Sequence, residues 1–338
     1  MRNIRVMAVL LLVAAILLSG CQKGHSEGGA IALDARSEWD GLTKATLLRS
    51  AELSRVEIGT SAYLYEGEWT DALTPNYFYN VPFRFDGSFW MPEDSYYWPG
   101  SGSNLRFFCY APYGAATLPG SGQAGAPILS FRVADAPSRQ VDLLWADTGT
   151  VDGHDRTALE VDFSHALCAV RFAIKAGSRS GLLSGLEIGG LFNAASRSLA
   201  QGSAWTGYSG DASYLLEGSF PYTNSSEGLD LYSEDAGVFL LLPQKHSAAW
   251  LRATYAVQGE ADVREIQASP MTVDWEPGKI YTYTLDIREN VKVSVSVAGL
   301  AEVGPDAVFE VGVFPFAPGA SSSGDLTGGN GDFVVTGK

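Results

Sequence analysis

The residues that most clearly specify chemistry lie at the start of the chain. Arg2 and Arg5 precede an apolar run, Val6 to Leu18, and the run ends in Leu18-Ser19-Gly20-Cys21. A basic start, a short apolar core and small residues before a cut site define a secretory leader, residues 1–20. The run is shorter than the roughly 20 residues that a spanning helix needs. A cysteine directly after Leu-Ser-Gly matches a bacterial lipobox, in which Cys21 becomes the mature N-terminus and is lipidated. The alternative is an ordinary leader with an incidental cysteine. Each buried acyl CH₂ contributes about 0.8 kcal/mol, so two or three chains on Cys21 hold a protein firmly on a membrane.

Elsewhere the reactive residue types do not gather. His25, His154, His165 and His246 have no metal-ligand spacing to another His or Cys. Asp152-Gly153-His154-Asp155 lacks the spacing of a calcium loop and reads as a solvated acidic turn. There is no Gly-x-Ser-x-Gly elbow, and no glycine-rich loop runs into Lys-Ser/Thr. Carboxylates are plentiful, but nothing singles out a catalytic pair. The expectation is a non-enzymatic protein with no cofactor and no metal. Tyr96, Tyr97, Trp98, Trp205 and Tyr208 are the residues that could stack on sugar rings. Core or loop packing is the commoner use of such side chains.

The elements around these residues read as β-structure. Hydrophobic residues make up 46% of the 338 and charged residues only 18%, so the chain holds enough apolar surface for real cores. The formal charge is −15, and losing a leader with two arginines and no acids takes it to −17. Such an excess repels phosphate backbones and argues against nucleic-acid partners. Cys109 and Cys168 each lie in an apolar, strand-like stretch and read as small buried hydrophobes, though an exported chain permits a bridge. Residues 22–30 form a polar tether. From Arg55 onward, short runs rich in β-branched and aromatic residues alternate with turn clusters, the pattern of a sandwich or barrel. Leu159, Val161 and Phe163 share one parity while Cys168, Val170 and Phe172 take the other, which predicts a break at Ser164-His165. The organisation expected is 1–20 leader, 21–54 tether and N-terminal strand, 55–152 and 153–290 two β domains, and 291–338 a C-terminal extension.

Four stretches carry a family resemblance. They are Tyr96-Tyr97-Trp98-Pro99 followed by Phe108-Cys109-Tyr110-Ala111-Pro112; Phe163-Ser164-His165-Ala166-Leu167 running into Val170-Arg171-Phe172; Leu241-Leu242-Pro243-Gln244; and Trp275-Glu276-Pro277-Gly278-Lys279 with Tyr281-Thr282-Tyr283-Thr284-Leu285. With the lipobox, their order over residues 55–290 resembles the fimbrillin family of Bacteroides-type bacteria, the subunits of type V pili. The likeness thins beyond Arg288.

The resemblance implies an all-β fold of two transthyretin-like β-sandwich domains in tandem. It implies export as an outer-membrane lipoprotein through Cys21, then a place in a cell-surface fimbrium as a structural subunit or associated adhesin. It also implies removal of the N-terminal segment by an arginine-specific protease and donor-strand exchange with other pilin subunits. Family members often carry Thr-Arg-Ala near the mature start, whereas this chain has Thr43-Lys44-Ala45. The cut is therefore expected after Arg49, with Arg36 as the other candidate. Donor-strand candidates are Val291, Val293, Val295 and Val297, and then Val311 and Val313, which alternate as a donor must. The rival expectation is a surface lipoprotein that never polymerises and binds glycans or a host or bacterial surface ligand.

Overall fold

The computed structural model describes residues 29–37, 48, 50–287 without 155, 217, 224–228 and 232–236, and the stretches 292–299, 314–315 and 317–318. Strands dominate, as the period-two alternation dictates. The first half contains β1 (Leu33–Ser37), the one-turn helix α1 (Ser50–Leu53), β2 (Ile58–Tyr65), β3 (Phe78–Phe85), β4 (Trp90–Pro92), β5 (Asn104–Ala111), β6 (Ile128–Arg132), β7 (Leu144–Asp152) and β8 (Leu159–His165). All of these strands except β6 close into a barrel in the order β1-β4-β3-β2-β5-β7-β8, with β8 parallel to β1.

The second half contains β9 (Cys168–Lys175), β10 (Gly181–Leu191), β11 (Ala194–Ser198), β12 (Trp205–Ser209), β13 (Ala212–Leu216), β14 (Phe220–Tyr222), β15 (Leu229–Asp230), β16 (Val238–Leu241), β17 (Lys245–Val257), β18 (Val263–Asp274), β19 (Lys279–Asp286), β20 (Lys292–Gly299), β21 (Phe314–Pro315) and β22 (Ala317–Pro318). One sheet runs β13-β10-β17-β18-β22, with β14 also on β10. The other runs β15-β9-β19-β20-β21, with β16 also on β9. Residues of both sheets share one buried cluster, Leu186, Ile188, Leu251 and Ala253 meeting Val170, Phe172, Tyr283 and Leu285.

Strand pairing crosses the boundary expected after residue 152 in both directions. β8 lies beyond it yet closes the barrel between β7 and β1. β6 lies before it yet pairs with β11 in a separate β12-β11-β6 sheet. The polar stretch around Gly149 and Gly153 that suggested the boundary is strand β7 up to Asp152 and turns only beyond it, and a turn does not reveal which sheet the next strand joins. The predicted break does fall where the parity changes: β8 ends at His165, and β9 begins at Cys168 in another sheet.

β5 explains why its sequence is almost continuously apolar. Leu105, Phe107 and Cys109 face the barrel core, while Phe108 and Tyr110 join the second cluster on the opposite face. A strand buried on both sides has no polar face to alternate. Its neighbour β2 carries Gly59 opposite Tyr110, and a Cβ there would lie 2.3 Å from the tyrosine ring. Cys109 and Cys168 are free and buried in different clusters. Burial pushes the Cys109 thiol up to about 12 and raises that of Cys168 as well, so neither is a ready nucleophile.

Candidate functional site

The N-terminal strand is docked into the barrel by both side chains and main chain. β1 alternates buried and exposed residues: Leu33, Ala35 and Ser37 point inward, while Arg36 points out. Ile31 just before it is also fully buried. The strand lies between β8, in register from Leu33↔Leu159 to Ser37↔Phe163, and β4, through Leu33↔Trp90. Main-chain bonds extend the docking upstream: Ile31 N–H donates to the Tyr96 carbonyl at 2.7 Å, and Leu159 N–H donates to the Ala32 carbonyl at 2.8 Å. Trp90, Leu159, Val161 and Phe163 share one buried cluster with these side chains.

The two arginines differ in setting. Arg36 sits inside β1 with its guanidinium 2.9 Å from Asp34 and 3.8 Å from Glu160, and its side chain is 55% exposed. The peptide bonds on either side of it belong to the β1–β8 ladder. Arg49 lies outside the described residues, as does Cys21 with the leader. The residues flanking Arg49 are held at both sides. Leu48 N–H donates to Asp142 at 2.9 Å. The Ser50 hydroxyl accepts the Ser37 N–H at 3.2 Å and donates to the Ser37 carbonyl at 3.3 Å. Beyond it, Leu53 of α1 is fully buried against the barrel core.

Asp142 is a residue that sequence reasoning missed. Its side chain is 1% exposed, and His165 Nδ1 lies 3.0 Å from its carboxylate. The available signal was a carboxylate inside the apolar run Val141-Asp142-Leu143-Leu144, which requires a buried partner.

The donor candidates divide. Val291, Val311 and Val313 lie outside the described residues. Val293, Val295 and Val297 belong to β20, which pairs antiparallel with β19 from Lys279↔Gly299 to Asp286↔Lys292. β20 was expected to follow a finished domain; instead it is a member of that domain's own sheet. Its regular valine alternation suits an intramolecular partner as well as a foreign one.

The candidate sugar-stacking residues are mostly packed. Trp98 is buried against Phe107, with the Arg156 guanidinium 4.7 Å from its ring centre. Trp205 is buried, and its indole N–H donates to the Ala166 carbonyl at 2.8 Å. Tyr208 donates to the Pro243 carbonyl and lies against Phe192. Tyr97 is exposed and Tyr96 half-buried. His154 pairs with Asp152 at 2.7 Å on the surface. Among the described residues, no group of three or more His, Cys, Asp or Glu could hold a metal ion, and no helix is long and apolar enough to cross a membrane.

This arrangement of strands recurs in solved bacterial proteins. A fimbrial protein from Bacteroides vulgatus ATCC 8482 superposes with a TM-score of 0.61 at 18% identity, covering 80% of this chain and 99% of that one. A protein assigned provisionally to cell adhesion, from Bacteroides ovatus ATCC 8483, gives 0.50 at 17% identity, covering 80% and 96%. These likenesses define the fold class. The family follows from sequence: the fimbrillin-like family model matches residues 55–299, and the chain belongs to that family. The match runs past Arg288 and takes in β20, further than the motifs alone reach. No curated protein matches the chain. Family membership supports a fimbrial or adhesive role.

Proposed function

We propose that this chain is a structural subunit of a fimbria, or an adhesin associated with one, exported as a lipoprotein through Cys21. It joins other pilin subunits at the cell surface by donor-strand exchange after an arginine-specific protease removes the N-terminal segment. The observation that carries this reading is β1 itself. It contributes Leu33 and Ala35, with Ile31 just before it, to a core that the rest of the barrel supplies. It is the first barrel strand in chain order, so one cut between β1 and β2 separates it covalently from the others. Its departure would expose edges of β4 and β8 and an apolar pocket, the acceptor that strand addition requires.

The cut belongs after Arg49 rather than Arg36. A protease reads an extended, unpaired segment, and Arg36 lies within a paired strand. The organisation into leader, tether and two tandem transthyretin-like units is part of the same proposal. The test is assembly. Unboiled SDS gels of the processed chain should show a ladder of oligomers, and a single lipidated monomer would count against polymerisation.

One observation favours the rival reading. β20 is already paired with β19, so its use as a donor requires that ladder to break. A surface lipoprotein that keeps β1 and β20 in place and binds glycans or another surface ligand accounts for that pairing without rearrangement. Deleting residues 300–338, and separately 291–338, distinguishes a donor beyond β20 from β20 itself.

A further inference from the structure

A cavity of about 340 Å³ lies where three elements of the second half meet. Gly190 of β10 and Phe192 just past it line one part. Gly210 and Asp211, the two residues between β12 and β13, line another, and His246 and Trp250 of β17 line the third. Its size falls in the range of about 300–1,000 Å³ that small-molecule sites occupy. The sheet is irregular on both sides of it. The β10–β13 register shifts between Ile188 and Leu191, and the β17–β18 register shifts between His246 and Ala249. Shifts of this kind re-aim side chains.

The groups around the cavity are held in place. Two glycines admit Trp250: a Cβ at Gly189 would collide with its ring, and one at Gly190, where φ is +66°, would lie 2.5 Å from the Ala248 carbonyl. Gln244 is buried and clamps the Phe192 main chain. Its Oε1 accepts the Phe192 N–H at 3.0 Å, and its Nε2 donates to the Phe192 carbonyl at 3.1 Å. The Phe192 ring centre lies 4.6 Å from that of His246. Gly210, at φ +84°, leaves no room for a Cβ beside Asn193, whose amide is itself bonded to Arg132 at 3.1 Å and to Asp135 at 3.2 Å. A site fixed in advance loses less freedom when a ligand enters.

The chemistry of the lining narrows the ligand. Asp211 is the only Asp, Glu, Lys or Arg among the residues lining the cavity. A carboxylate only accepts, so the ligand has to bring hydroxyl or ammonium donors, and an anion is repelled. An ammonium would seek the Trp250 ring, but the Arg252 guanidinium already lies over it, 5.0 Å from a ring centre, and is paired with Glu187 at 2.7 Å. A second cation there would meet the first. What fits is a neutral ring that carries hydroxyls and presents C–H groups to aromatic side chains.

We propose that this cavity binds a neutral sugar residue of a glycan. Asp211 accepts its hydroxyls, and Trp250, Phe192 and His246 pack against its C–H groups. The proposal rests on the adhesive, glycan-binding role described above and gives that role a site and a ligand class. The lining residues lie between 190 and 250, so a cut after Arg49 removes none of them.

The test screens the purified chain on an array of neutral glycans beside sialylated and sulfated ones, then titrates the bound glycan by calorimetry. Wild type should bind neutral glycans and leave the acidic ones. Asp211→Ala and Trp250→Ala should each weaken binding about tenfold. Ala248→Phe, which adds a ring at a residue lining the cavity, should abolish it. Asp211 and Ala248 are exposed, so these two variants carry the comparison if Trp250→Ala does not fold. Glycan binding at wild-type affinity in both Asp211→Ala and Ala248→Phe would overturn this site alone. Binding confined to acidic glycans would overturn the ligand class and the proposal with it. A wild-type chain that binds no glycan would overturn the glycan-binding role together with this site, and would leave assembly into a ladder as a separate question.

Discussion

The Ser50 hydroxyl bridges both main-chain groups of Ser37, accepting its N–H at 3.2 Å and donating to its carbonyl at 3.3 Å. One residue opens α1 and the other closes β1. A cut after Arg49 places them on different pieces, so the bridge must break before β1 leaves. Two part-buried hydrogen bonds at the long end of their range contribute about 1 kcal/mol together. Ser50→Ala should therefore release the cut N-terminal segment about fivefold faster, measured by mass spectrometry of the fragment that remains with the body on gel filtration.

The setting of the two arginines predicts an order of cutting. Cleavage within β1 requires Arg36 to leave its ladder with β8, so that cut needs an opening of the barrel. Limited digestion with an arginine-specific protease should produce a chain starting at Ser50 before any starting at Ser37. Once the first cut is made, Arg36 should become accessible on the released strand. Mass determination over a time course distinguishes the two products.

Arg106 and Asp147 form a buried pair, with side chains 16% and 1% exposed and their closest atoms 2.5 Å apart. Burial alone would raise the Asp147 pKa, but hydrogen bonds from Arg106, then from the Gln201 and Gly149 N–H groups, hold it below the ordinary carboxylate value. A depressed folded-state pKa contributes stability that is complete above the unfolded value, about 3.9, and is lost as pH falls through the folded one. Asp147→Asn leaves Arg106 uncompensated and should cost about 3–5 kcal/mol at pH 7. Urea unfolding at pH 7 and in the window below about 4 should show that the variant lacks part of the wild-type acid limb.

Trp205 tests packing against ligand stacking. Trp205→Ala empties a fully packed site and orphans the Ala166 carbonyl, which should cost about 3–5 kcal/mol and lower the melting temperature. Differential scanning calorimetry gives the value. An unchanged melting temperature with lost sugar binding would reverse the assignment.

Much of this fold was legible because alternation reports which face of a strand is buried. β8, β17 and β19 alternate over most of their length, and each lies where its pattern predicts, whereas the small Ala169 and Ala173 let β9 bury both faces. Sheet membership was not legible. Pairing is set by main-chain bonds between strands far apart in sequence, so nothing local tells β6 to join β11 or β8 to join β1. The valines of β20 show the same limit: their period says strand, and the partner could have been this domain or another subunit. Asp142 was hidden for a different reason. A single carboxylate in an apolar run acquires meaning only when its partners, His165 and Leu48, are brought together from 23 and 94 residues away.

On the proposal above, β1 is a placeholder that leaves so that another strand can enter. Mass spectrometry of the chain extracted from the high-mass bands of an unboiled SDS ladder tests it most directly. The expected result is a chain beginning at Ser50, with residues 1–49 absent from the polymer. Polymers made of chains that all still begin at an acylated Cys21 would contradict it.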